Sequence, residues 1–204
     1  MAKNAGDVIL RDRMQFDLSG AGDRTTLYGR IDLSSYVDPV NKQGLAVKEV
    51  FFQLRNPNTT GTLDNTGGYI PVGNVTSGSE TAGAPSCIKL YATTRAYENA
   101  AEVGIASPDV LCVYERYSFA FPAGYDGGAL AGGQSGITEN LWYGPRDLHP
   151  AGYTVVSDLL IGVAADGWDT EDDETIEIDV VLIAEPVKIS TERMNEILSQ
   201  AQDL

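Results

Sequence analysis

Apolar and polar residues alternate along this chain in short runs. Met14-Gln15-Phe16-Asp17-Leu18 puts an apolar side chain at every second position, and the segment from Thr25 to Leu33 continues the pattern. A period of two is that of a half-buried β-strand. The two runs flank Ser19-Gly20-Ala21-Gly22-Asp23 and read as a hairpin or two successive strands. Beyond Pro39 and Gly44, residues 45–55 predict a strand with Val50, Phe52 and Leu54 on one face. Cys87–Thr93 and Val110–Phe119 are further β-branched and aromatic runs. Strand character returns at Tyr153–Val163 and at Thr175–Ala184, where Ile176, Ile178, Val180 and Leu182 are in phase, and residues 95–103 read as one or two helical turns.

Two long stretches break the rhythm. Residues 56–86 are rich in Asn, Thr, Gly and Ser around an apolar island at Tyr69, Ile70 and Val72. Residues 122–136 hold too much glycine and too little apolar bulk to pack alone, with Tyr125 and Leu130 as their handles. Such loops are expected to order against a partner. The end of the chain changes period: Ser190 is placed to cap a helix, Glu192 suits its first turn, and Met194, Ile197, Leu198 and Ala201 recur at helical spacing. The expected architecture is all-β, an antiparallel sandwich of jelly-roll type over 1–188 with loops at 56–86 and 122–136, followed by a short amphipathic α-helix at 189–204. That apolar stripe covers either the helix's own sheet or a neighbouring subunit. It is assigned here to an interface or clamp, together with Tyr69, Ile70, Val72, Tyr125 and Leu130.

Charge narrows the partners. Fourteen basic residues against 29 acidic ones give a formal charge of −15, a field that repels nucleic-acid phosphates and anionic membrane surfaces. Direct nucleic-acid binding is therefore not expected. The acidity suits a protein kept soluble in concentrated salt, where self-repulsion is screened, although an ordinary acidic domain has the same sign. The start of the chain carries no apolar export segment, and no stretch approaches the length needed to span a bilayer, so synthesis in the cytoplasm without membrane insertion is expected. Cys87 and Cys112 lie in apolar, strand-like contexts, where an unpaired cysteine behaves as a small buried hydrophobe, and they can form a disulfide only if their strands are neighbours.

No catalytic constellation emerges. His149, the only histidine, lies beside Pro150 in a loop. Ser135 sits in Gly133-Gln134-Ser135-Gly136-Ile137, which lacks the spacing of a nucleophile elbow, and the glycine-rich loop has no phosphate-binding ending. Asp166 to Glu174 places six carboxylates within nine residues. That loop is read as solvated, with a hard-cation site as the alternative. Asn58 and Asn74 match the short glycosylation pattern and are read as accidental matches. No enzyme activity, cofactor or metal is assigned. A second function class remains open, a carbohydrate- or ligand-binding sandwich with Trp142, Tyr143 and Trp168 as a stacking platform.

In length, acidity, strand pattern from Met14 to Ala184 and lack of a signal segment, the chain resembles the single jelly-roll capsid subunits of tailless, membrane-containing icosahedral viruses of halophilic archaea. The resemblance carries no diagnostic motif and transfers no site residue. It implies a structural virion protein that forms homo-oligomers, pairs with a second capsid protein, and lies near an internal membrane without entering it.

Overall fold

Alternating runs become strands, and the phase of each run decides which side chains meet the core. A computed structural model describes residues 6–18, 25–55, 86–99, 102–121, 134–142, 144–145, 151–166 and 174–200. The strands are β1 Val8–Leu18, β2 Thr25–Ile31, β3 Gln43–Arg55, β4 Ser86–Thr93, β5 Val110–Phe121, β6 Gln134–Trp142, β7 Tyr153–Val155, β8 Leu159–Asp166 and β9 Glu174–Lys188. Helix α1, Thr191–Gln200, follows. Four strands form one sheet in the order β1-β9-β3-β7, and five form the other in the order β2-β8-β4-β5-β6. Every pairing is antiparallel.

The pairs nest. β4 and β5 form the innermost pair, β3 and β7 enclose them, then β2 with β8, and β1 with β9 outermost. The chain crosses between sheets at β1→β2, β2→β3 and β3→β4, and again at β6→β7, β7→β8 and β8→β9. One core fills the space between the sheets. Met14, Phe16, Val50, Leu54, Ile178, Val180 and Leu182 enter it from the first sheet, and Ile88, Leu90, Cys112, Ile161 and Val163 from the second. The result is an all-β sandwich with a short C-terminal helix.

Register explains several local departures from simple alternation. In β3, Leu45 and Val47 face the core, a bulge follows at Lys48, and Val50, Phe52 and Leu54 then take over the inward phase. One inserted residue flips the parity of everything after it. Pro186 lies inside β9 opposite Leu45, past the last β1 partner at Val8↔Ala184, where β9 has a strand on one side only. That is where a missing backbone donor is tolerated. Gly152 has a φ of +83° and abuts the Val47 carbonyl, so both its backbone conformation and its surroundings exclude a side chain.

Of the two readings of the runs from Met14 to Leu33, two successive strands holds: β1 and β2 belong to different sheets and are not a hairpin. The single run expected from Tyr153 to Val163 is corrected to two strands in different sheets, broken at Val156–Asp158. Residues 95–99 are bends and irregular chain, whereas Glu102 lies in a 3₁₀ turn, its N–H donating to the Asn99 carbonyl, so the helical turn expected in 95–103 is confined to the end of that segment. The reading of Cys112 as an unpaired, buried residue holds: β4 and β5 are neighbours, but their register sets Cys112 opposite Ala92, and Cys87 lies five residues farther along β4. That offset is about 17 Å, far beyond disulfide reach. Cys112 is a free, buried thiol, and burial pushes its pKa up to about 12.

Candidate interface surfaces

The C-terminal helix is held at the edge of the sandwich. Ser190 Oγ accepts the Arg193 N–H at 3.2 Å as the N-cap, and the Ser190 carbonyl accepts the Met194 N–H at 2.9 Å. The Lys42 carbonyl accepts the Ile189 N–H at 2.9 Å, and Lys42 Nζ donates to Thr191 Oγ1 at 2.6 Å, so the β3 entry turn clamps the segment leading into α1. Met194 is 4% exposed and packs with Val156 and Ile189, with Ile197, Val187 and Val37 around them. Met194 is thus buried within the chain, while Ile197 is half-buried beside it.

The outer face of the five-stranded sheet is roofed by the β4–β5 connection. Tyr91, Val110, Val113 and Ala164 on that face meet Val103 from the connection, with Tyr28 and Tyr97 at the margin. Gly162 makes room for Tyr91, since a Cβ there would collide with the tyrosine ring. Tyr28 Oη lies 2.5 Å from Tyr91 Oη, accepts the Tyr97 N–H at 2.7 Å and donates to the Tyr97 carbonyl at 3.0 Å. Tyr28 has one proton to give, so Tyr91 is the donor between the two hydroxyls. Burial, then the bond to Tyr28, raises the Tyr91 pKa. The Arg95 guanidinium lies 5.0 Å from the Tyr97 ring centroid, and Lys89 Nζ donates to the Val103 carbonyl at 2.8 Å and pairs with Glu115 at 3.3 Å. Around Tyr91, Val110, Val113 and Ala164 this face is covered by the chain itself.

The outer face of the four-stranded sheet differs. Register lays it out in rows across β1, β9 and β3: Ile9–Ile183–Glu49, then Arg11–Val181–Phe51, then Arg13–Asp179–Gln53. Ile9 is 51% exposed and Phe51 47%, with half-buried Val181 and Ile183 between them. The rim is polar. Arg13 Nε pairs with Asp179 at 2.6 Å, Gln15 Nε2 donates to Glu177 at 2.8 Å, and Lys48 Nζ bridges Asp7 at 2.5 Å and Glu185 at 2.9 Å. The Asp7 bond first, then that to Glu185, raises the Lys48 pKa. Among the described residues no element lies over this patch.

The family and sequence comparisons add nothing to this picture. No protein-family profile matches the chain, and no curated protein matches it in sequence.

Of the residues assigned to an interface from sequence, Met194 and Ile197 line the helix seat. Leu198 belongs to α1, though its side chain lies outside the described set, and Tyr69, Ile70, Val72, Tyr125 and Leu130 lie outside the described residues altogether. So do His149, Tyr143, Trp168 and most of the acidic loop. Ser135 is in β6 opposite Ala120, not at a loop tip. Among the described residues, no group of three or more His, Cys, Asp or Glu side chains is placed to hold a metal, and no helix is long and apolar enough to cross a membrane. Sequence reading missed the exposed sheet face because Ile9 and Phe51 fall on the polar phase of their strands. It also missed Arg116, a core-side residue of β5 that is 4% exposed and stands opposite Glu139 of β6 in register.

Proposed function

We propose that this chain is a structural assembly subunit of jelly-roll type, a capsid protein that builds a shell with copies of itself and a companion capsid protein, in a virion adapted to high salt. The strand order carries the reading. With β6 taken as an addition beside β5, eight strands form nested antiparallel pairs wound into sheets 1-9-3-7 and 2-8-4-5. A long hairpin rolled up in this way is the jelly roll used by capsid and lectin domains.

The apolar side chains exposed on the four-stranded sheet favour assembly over the carbohydrate-binding alternative. Ile9 and Phe51, with Val181 and Ile183 between them, form an apolar patch with charged residues around it, the kind of surface that a protein partner covers. The charge of −15 suits solubility in concentrated salt, and an internal membrane beneath the shell belongs to the same reading. Particle sizing by light scattering in concentrated salt, without added glycan, tests it. Defined oligomers support a shell subunit, whereas a monomer that binds an immobilised glycan supports the lectin-like alternative.

A further inference from the structure

We infer that Asp12 closes the free β1 edge of the four-stranded sheet to strand addition, so that copies of this chain meet through other surfaces. Closure of this edge does not depend on the assembly reading: it restricts which contacts an assembly can use, and it holds equally for a monomer.

β1 is an edge strand of 11 residues, Val8–Leu18, paired with β9 on one side, and among the described residues no strand lies on the other. A long open edge of this kind is a template for another chain. Its core phase would be apolar throughout but for one position. Val8, Leu10, Met14 and Phe16 pack on the core, Leu18 shares their phase, and Asp12 stands among them, exposed and opposite Val180. Asp12 Oδ1 accepts the Arg13 N–H at 2.8 Å. That N–H points away from β9, and alternation along the strand puts the backbone groups of Ile9, Arg11, Gln15 and Asp17 on the same free side. The close side-chain pairs Arg13–Asp179 and Gln15–Glu177 agree, because opposed residues approach nearest where they do not exchange ladder bonds. Asp12 therefore occupies, in the middle of the open edge, a donor that an added strand would need.

Every register open to a second β1 meets the same residue. Strand addition about a two-fold axis pairs residues equidistant from its centre. Centred on Arg11 or Arg13, it sets that arginine against its own copy. Centred on Asp12, it opposes two carboxylates and sets Arg11 against Arg13. Like charges directly opposite destabilise a strand pair. Centred on Leu10 or Met14, it avoids that repulsion but lays the Asp12 carboxylate against Val8 or Phe16 on the core phase, a charge facing an apolar group. Asp12→Val frees the Met14-centred register, the longer of these two, in which Arg11 stands opposite Asp17 and Arg13 opposite Gln15.

Amide hydrogen exchange of the full chain, resolved residue by residue by NMR at roughly 10 and 300 μM, tests this. In the wild type the Arg11, Gln15 and Asp17 amides are expected to exchange as open groups at both concentrations, whatever contacts form elsewhere. In Asp12→Val they are expected to gain at least about tenfold protection at the higher concentration, since pairing no longer breaks a hydrogen bond to a charged group. Adding Arg11→Pro removes an outward donor without touching the β9 ladder. It is expected to return Gln15 and Asp17 to wild-type exchange although the new apolar side chain remains, which separates strand pairing from general stickiness. Thermal melts check that each variant folds. Protection that rises with concentration in the wild type overturns the closure, as does its absence in Asp12→Val or its survival after Arg11→Pro. A wild type that is monomeric in sedimentation contradicts the assembly reading alone, because Asp12→Val still reports whether the edge opens.

Discussion

The tyrosine cluster beneath the β4–β5 connection yields an asymmetric prediction. Tyr91 is fully buried and has one hydroxyl partner, Tyr28, whereas Tyr28 serves Tyr91 and both backbone groups of Tyr97. Tyr91→Phe removes a single bond and leaves Tyr28 with two partners, which costs about 1 kcal/mol. Tyr28→Phe removes all three and strands the Tyr91 hydroxyl in the interior, a penalty of about 1–3 kcal/mol in itself and about 3 kcal/mol with the lost backbone bonds. For a domain of this size, 1 kcal/mol moves Tm by about 2–4 °C, so the expected drops are about 3 °C for Tyr91→Phe and about 6–12 °C for Tyr28→Phe. The double variant has no stranded hydroxyl, so it should be no less stable than Tyr28→Phe alone, and the two effects should fail to add. Denaturant unfolding of the four proteins at neutral pH measures this directly. Equal losses from the two single variants, or a double variant at the sum of both, would refute the assigned direction of the hydrogen bonds.

Other consequences follow from the same contacts. The folded-state pKa of Tyr91 is raised above 10.0, so its stabilising contribution is whole below about pH 10 and lost as pH rises beyond it; stability curves of wild type should fall more steeply there than those of Tyr91→Phe. Gly162→Ala should cost about 1–3 kcal/mol by driving a methyl into the Tyr91 ring, and combining it with Tyr91→Leu should recover part of that loss in chemical denaturation. Met194→Ala should cost about 2–5 kcal/mol if α1 stays on its seat, and Ser190→Ala about 1 kcal/mol through the cap. A melt indistinguishable from wild type for both would mean that the helix leaves its seat in solution.

Where one face of a strand is buried and the other wet, the sequence declares it. Met14, Phe16, Val50, Leu54, Ile178, Val180 and Leu182 are in phase and all reach the core. The same logic fails wherever both phases are apolar. Val8-Ile9-Leu10 shows no alternation, so the first half of β1 was not legible, and the residue that spoils the pattern is the one that builds the exposed face. β6 is hidden by Gly136 and by polar residues on both phases. The break between β7 and β8 carries no proline or glycine, and its corner is instead held from outside: Asp158 accepts the Leu33 N–H at 3.0 Å and pairs with Arg30. Long-range partners of this kind leave no local trace. The helix was legible down to its cap, because Ser190, Glu192 and the stripe from Met194 are all local signals. Which surface its stripe covers depends on Val156 and Val37, distant in sequence. Neither could be read from the amphipathic pattern.

Self-association is the property on which the account stands, and sedimentation velocity on the purified full chain in concentrated salt measures it without presupposing any interface. Across protein concentrations from about 1 to 200 μM, a range that brackets micromolar affinity, the account predicts a concentration-dependent shift from monomer to dimer and larger closed species. A single monomer boundary throughout, with the fold intact by circular dichroism, would contradict it.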